Sequence, residues 1–117
     1  MTTKIVGGVA VIESEEVVIK DTASAIDLMM TVKYETGCDK IALNKEAFLP
    51  EFFILSKQIA GEILEKFITY QTKLAIYGDF SKYTSKPLRD FIYESNRGKD
   101  IFFVESQEQA LQRLGAE

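Results

Sequence analysis

Lys73-Leu74-Ala75-Ile76-Tyr77-Gly78-Asp79-Phe80-Ser81-Lys82-Tyr83-Thr84-Ser85-Lys86-Pro87 is the stretch that decides the fold. An apolar strand run, Leu74 to Tyr77, stops at Gly78 and Asp79, and a polar loop follows. Pro87 then suits the first turn of a helix, where a missing N–H costs nothing. Strand, loop and helix in that order make one unit of an α/β fold. In open α/β sheets ligands gather where loops leave the carboxyl ends of strands, so this loop is also the leading site candidate.

Outward from that unit the pattern continues in both directions. Ile5 to Ile12 and Val17 to Ile19 are rich in Val and Ile, and the polar residues Glu13 to Glu16 between them read as the turn of a hairpin. Asp21 is placed to cap a helix from Thr22 to about Glu35, with Ala25, Leu28, Met29 and Val32 at helical spacing and Gly37 as a left-handed stop. Lys40 to Leu43 gives a third strand. Pro50 is expected to open the longest helix, with Phe52, Leu55, Ile59, Ile63 and Phe67 inward and Gly61 letting it lie close to the sheet. A third helix runs from about Lys86 to Ser95, ending near Asn96 and Gly98. Ile101 to Val104 reads as a strand covered on both faces, and a last helix starting at Glu105 or Ser106 carries Ala110, Leu111 and Leu114. The order β-β-α-β-α-β-α-β-α predicts a mixed five-stranded sheet, mostly parallel, with strand one antiparallel to strand two.

Composition narrows the function classes. The length of 117 residues fits one domain covering 1–117. With 14 basic and 18 acidic side chains, a formal charge of -4 and no basic cluster, nucleic acid is not an expected partner. No His is present, which removes Ser-His-Asp and Cys-His catalysis and His-based metal sites. The lone Cys38 can neither close an internal disulfide nor build a metal cage, and it suits a reducing cytoplasm. The N-terminal stretch lacks the shape of a secretory signal, and no apolar run approaches the roughly 20 residues that span a bilayer, so a membrane role is not expected. Nothing in the chain asks for a cofactor, and a homo-oligomer stays open.

Element order and size are similar to the STAS domain, the fold of bacterial anti-sigma factor antagonists of the SpoIIAA type. More specifically, four stretches resemble a small bacterial family known as domain of unknown function 4180: Asn44-Lys45-Glu46-Ala47, Ala60-Gly61-Glu62-Ile63-Leu64, Gly78-Asp79-Phe80-Ser81-Lys82-Tyr83 and Asp90-Phe91-Ile92-Tyr93-Glu94-Ser95-Asn96. The resemblance implies a STAS-like fold and supplies no activity. Antagonists of the SpoIIAA type carry a phosphorylated serine at the start of their second helix. The comparable stretch here, Leu49-Pro50-Glu51-Phe52-Phe53, has no hydroxyl and instead places Glu51 where a helix macrodipole favours negative charge. A kinase-operated switch at that point is therefore not expected.

Two sets of candidate residues follow. Asp79, Ser81, Lys82, Tyr83, Ser85 and Lys86 combine hydroxyls, ammonium groups and the free N–H groups of a helix start, an arrangement that can hold a phosphate or carboxylate. A plainer account is also open and is the simpler one, in which Thr84 or Ser85 caps the helix, the lysines are solvated and Tyr83 packs by its ring. Asn44 and Lys45 leave the neighbouring strand and are expected on the same rim, though Asn44 could instead hold a turn. Gly78-Asp79-Phe80-Ser81 superficially matches a hydrolase motif, but Ser81 is displaced by one residue and no His base exists. Glu94, Asn96 and Arg97, with Glu51, are the candidate partner-binding residues. The expected function is that of a non-catalytic, cytoplasmic bacterial binding or regulatory module with a protein partner, as the fold resemblance implies. A small anionic ligand sensor built on the loop after strand four is the alternative, and a His-independent enzyme comes third.

Overall fold

Two glycines set the first turn. In the computed structural model, which describes residues 1–116, Gly7 and Gly8 have φ of 55° and 83° and join strand β1 (Thr2–Val6) to β2 (Val9–Glu13). Both central residues at positive φ make a two-residue turn whose twist matches that of the flanking strands. The hairpin thus closes inside the apolar run expected to be a single strand, and the expected turn at Glu13–Glu16 is corrected to the exit from β2. Val17–Ile19 does not join the sheet. Its amides at Val18 and Ile19 donate to the carbonyl of Ala47 at 2.8 and 2.9 Å, and Ile19 bridges Phe48.

Helix α1 (Thr22–Thr36) begins and ends where the sequence places its signals. Asp21 Oδ1 accepts from the Ser24 amide at 2.8 Å, Ser24 Oγ accepts from the Asp21 amide at 3.0 Å, and Gly37 closes the helix at φ 75°. Strands β3 (Lys40–Asn44), β4 (Lys73–Tyr77) and β5 (Ile101–Val104) alternate with α2 (Ile59–Thr69) and α3 (Lys86–Arg97), and α4 (Gln107–Arg113) comes last. The sheet order is β1-β2-β3-β4-β5, with β1 antiparallel to β2 and every other pairing parallel.

Adjacent parallel strands joined by crossovers of one hand put their helices on one face. Ala10, Ile12, Ile41, Leu43, Leu74, Ile76, Ile101 and Phe103 accordingly pack beneath α1, α2 and α3. The alternate residues Val9, Val11, Ala42, Ala75, Phe102 and Val104 cluster with Ala110 of α4 and with Leu114, which closes that helix. Small Ala42 and Ala75 let so short a helix lie against the strands. Every residue of β5 is buried, as its continuous apolar run predicts.

The expected long helix from Pro50 is corrected. Pro50–Phe53 and Leu55–Lys57 are separate 3-10 turns, Ile54 between them is extended, and Gln58 at φ 62° precedes α2. Phe52 and Phe53 explain the break. Consecutive residues of an α-helix point about 100° apart, so one helix cannot bury both rings in a flat interface, yet both are buried. The longest helix is α1. Gly61 is likewise corrected: it is exposed on α2, and among the described residues a Cβ there would meet nothing within 4 Å beyond its own helix backbone, so it serves no close approach.

The outer edge of β5 is closed by a side chain. Asn96 Nδ2 donates to the Phe103 carbonyl at 3.1 Å and its Oδ1 accepts from the Phe103 amide at 2.7 Å, as a neighbouring strand would. The Arg113 guanidinium donates to the Asn96 carbonyl and lies over the Phe102 ring. Because Gly61 occupies free space in a helix, Gly61→Ala is expected to raise stability by about 0.5–1 kcal/mol, read from the urea midpoint. A loss instead of a gain would restore the packing role.

Candidate functional site

Asn44 and Tyr77 are register partners at the carboxyl ends of β3 and β4, so the loops that leave them share one rim. The neighbourhoods of positions 44 and 79 therefore meet. Lys45 shows how closely: a Cβ at Gly78 would stand 2.7 Å from Lys45 Cγ. The absence of a side chain there lets the lysine stem pass and carry its ammonium to 5.0 Å from the centroid of the Tyr83 ring.

Asn44 itself faces inward. It is 7% exposed, its Oδ1 accepts from the Ser14 amide at 2.8 Å, and its Nδ2 donates to the Ser14 carbonyl at 2.7 Å and to Glu46 Oε1 at 3.3 Å. Three of its hydrogen-bonding positions are thus occupied, and it works as a clamp between β3 and the exit of β2. Tyr77 adds a second tie on the same face. Its hydroxyl donates to the Ile12 carbonyl at 2.9 Å and accepts from Gln107 Nε2 at 3.1 Å, so β2, β4 and α4 are joined at this end. Burial raises the Tyr77 pKa against the Gln107 hydrogen bond, and the charges of Glu13 and Glu46 push the same way as burial.

Asp79 folds its own loop. Its Oδ1 accepts from the Ser81 amide at 2.9 Å, and bonds from the Ser81 hydroxyl and amide, with Lys45 and Lys82 nearby, hold its pKa below the usual carboxylate value. An exposed carboxylate kept ionised is poorly suited to proton transfer near neutrality. Ser85 caps α3, accepting from the Leu88 amide at 3.4 Å, and Lys86 reaches down the helix to Asp90 at 2.7 Å. Ser81 and Lys82 are exposed, and among the described residues Lys82 has no ion-pair partner.

Between this loop and the 3-10 turns lies a cleft of about 630 Å³. Phe53, Ile54, Leu55, Tyr83, Pro87 and Leu88 line it, together with the exposed polar residues Lys82 and Ser85. Its floor is fixed. Phe53 stacks on Tyr83 with centroids 5.1 Å apart and 22° between planes, and Phe80 packs on both rings and on Phe103 in the sheet. The sequence reading found Lys82, Tyr83 and Ser85 but missed the opposite wall. The run Phe52-Phe53-Ile54-Leu55 carried the missing signal, since four consecutive apolar residues are too wide for one helix face.

The second candidate set does not converge on the cleft. Glu51 sits in the Pro50–Phe53 turn, well before α2 begins at Ile59, so the expected stabilisation by that helix's dipole is corrected. Glu94 pairs with Arg97 at 3.9 Å, Arg97 lies over the Tyr93 ring, and Asn96 is spent on β5. These residues close α3, whereas the cleft lies at its start, about 18 Å away for 12 residues. Among the described residues no group of His, Cys, Asp and Glu is placed to hold a metal ion, and no helix is long and apolar enough to cross a membrane.

These features define a small α/β protein with a mixed sheet and an aromatic-floored cleft at its carboxyl rim. The chain belongs to the family described as domain of unknown function (DUF4180), whose model matches residues 6–114. No curated protein and no solved structure matches it.

The two ties at the rim give separate outcomes. Asn44→Ala strands the buried Ser14 amide and carbonyl and is expected to cost about 2 kcal/mol in urea unfolding, while Asp79→Ala, which removes only an exposed loop bond, is expected to lower the midpoint by less. Tyr77 has its folded pKa above the unfolded value of about 10, so its contribution is intact below pH 10 and fades as pH rises through the folded pKa. Tyr77→Phe should therefore flatten the alkaline limb of a stability-against-pH curve; an unaltered limb would remove this account.

Proposed function

We propose that this chain is a STAS-like, non-catalytic binding module of the bacterial cytoplasm, and that the cleft beside β3 and β4 receives an apolar side chain of a protein partner. The observation that carries the reading is the split between the polar and apolar parts of the rim. Asp79, Ser85 and Lys86 are engaged within their own loop and helix, whereas Phe53, Ile54, Leu55 and Tyr83 line a concave surface with a preset aromatic floor. Protein interfaces centre on such buried aromatic or aliphatic anchors ringed by polar groups. The strand order and the single antiparallel edge support the STAS-like assignment. With no hydroxyl in Leu49–Phe53, the partner would be engaged without a phosphorylation switch at that turn.

A small anionic ligand is the second reading, favoured by Lys82 in the cleft lining a few residues before the start of α3. The two are separable. Ile54 lines the cleft and is 46% exposed, so Ile54→Glu can alter the site without disturbing the core. Affinity purification from the native host, with mass spectrometry of bound proteins and metabolites, is expected to return a protein that the Ile54→Glu variant loses at unchanged melting temperature. Equal retention by both forms would reject the cleft as the docking surface. NMR shifts confined to residues 81–86 with millimolar phosphate, nucleotides or sugar phosphates would favour the ligand.

A further inference from the structure

The two edges of the sheet are treated differently, and the difference concerns a surface remote from the cleft reading and independent of it. The β5 edge is plugged by Asn96. Among the described residues the β1 edge is open: β1 pairs only with β2, and none of its residues is buried. Which backbone groups it presents follows from the turn. In a two-residue hairpin the residues flanking the turn form a hydrogen-bonded pair, so Val6–Val9, Lys4–Val11 and Thr2–Glu13 exchange bonds within the hairpin. Thr3 and Ile5 therefore direct their N–H and C=O groups outward, and Met1 continues the alternation. An unblocked edge of this kind is a template for another strand.

We propose that β1 pairs antiparallel with β1 of a second copy, with Thr3 opposite Thr3 across a two-fold axis, so that the two sheets become continuous. Registers centred on Met1 or Thr2 overlap too few residues for more than about four backbone hydrogen bonds; three longer overlaps bring outward groups face to face. One sets Lys4 opposite Lys4, a like-charge pair at close range. Another sets Ile5 opposite Ile5, which runs Thr3 into the Gly7 turn and leaves few bonds. The third pairs Thr3 with Thr3 and Met1 with Ile5 twice, allowing about six backbone hydrogen bonds. It covers two of the large exposed apolar side chains, Met1 at 69% and Ile5 at 56% exposure, against each other on one face. On the other face Lys4 meets Thr2 of the second copy, and beyond it, one strand further and about 10 Å away, the exposed Glu13, within reach of two long side chains. Charge complementarity and apolar cover thus select the same register and the same occupant.

The register can be tested directly. Sedimentation equilibrium of the full chain from about 1 µM to about 1 mM is expected to show a monomer–dimer equilibrium. Thr3→Glu, which opposes one carboxylate from each copy across the axis at an exposed position, should weaken it more than about tenfold with an unchanged circular dichroism spectrum. Thr3→Cys should form a disulfide-linked dimer under mild oxidation, because opposed residues of a hydrogen-bonded pair have Cα atoms about 5.5 Å apart. Ile5→Cys should not, since its own copy lies roughly four residues away along the strands; buried Cys38 in the unaltered chain provides the background. A chain monomeric throughout the range overturns the proposal, also where the edge instead captures an extended segment of another protein. A dimer indifferent to Thr3→Glu, or cross-linked through Ile5→Cys and not Thr3→Cys, overturns it equally.

Discussion

The order of the strands governs the rest of the molecule. From β2 to β5 each strand lies beside its predecessor and points the same way, so every return segment must cross the sheet with the same hand. Three helices then share one face, and every strand-to-helix loop emerges at one rim. Had the order reversed between two strands, ligand space would be expected in the crevice between oppositely placed helices. No such reversal exists here. The concavity arises instead where two loops on the same side diverge, between the segment that follows β3 and the loop that follows β4.

Rim loops tend to be the least stable part of such a sheet, because few side chains hold the strand ends together. Two polar ties offset this on the α4 face. Asn44 grips both backbone groups of Ser14, and Tyr77 reaches past β3 to the Ile12 carbonyl while Gln107 approaches from α4. Neither group is available to a ligand, but together they fix the frame in which Lys45 crosses Gly78 and meets Tyr83. On the helix face the tie is apolar: the ring contacts Phe53–Tyr83, Tyr83–Phe80 and Phe80–Phe103 run from the cleft to the sheet. The cleft floor is thereby packed onto the core it rests on.

Much of the architecture was legible in the sequence where one signal dominates. The Asp21 cap, the Gly37 stop, the Ser85–Pro87 helix start and the β5 run are local features that tertiary packing leaves intact. The hairpin was misplaced because Val and Ile continue on both sides of Gly7 and Gly8, and periodicity outweighed the turn chemistry of a glycine pair. The site was half legible. Lys82, Tyr83 and Ser85 lie where loop chemistry pointed, while Asn44 and Asn96 illustrate the converse: an amide near a strand or helix end satisfies backbone as readily as ligand, and only the location of Ser14 and Phe103 decides which.

The broken helix is the clearest case of tertiary geometry overriding local pattern, and it accounts for the cleft. A five-residue strand spans about 17 Å, and the 11-residue α2 is about the same length, so helix and sheet match. A single helix from Pro50 to Thr69 would be about 30 Å long and would carry its first turns beyond the sheet into water. Those turns hold Phe52 and Phe53, whose burial is worth roughly 2 kcal/mol each and offsets the helical hydrogen bonds given up. The chain therefore folds residues 50–58 back over the rim in short 3-10 turns. Phe52 drops onto Phe48 at 4.7 Å, and Phe53 turns toward Tyr83. Ile54, held extended between the turns, is left at the cleft wall with nearly half its surface exposed, because no strand lies beneath it to cover that side.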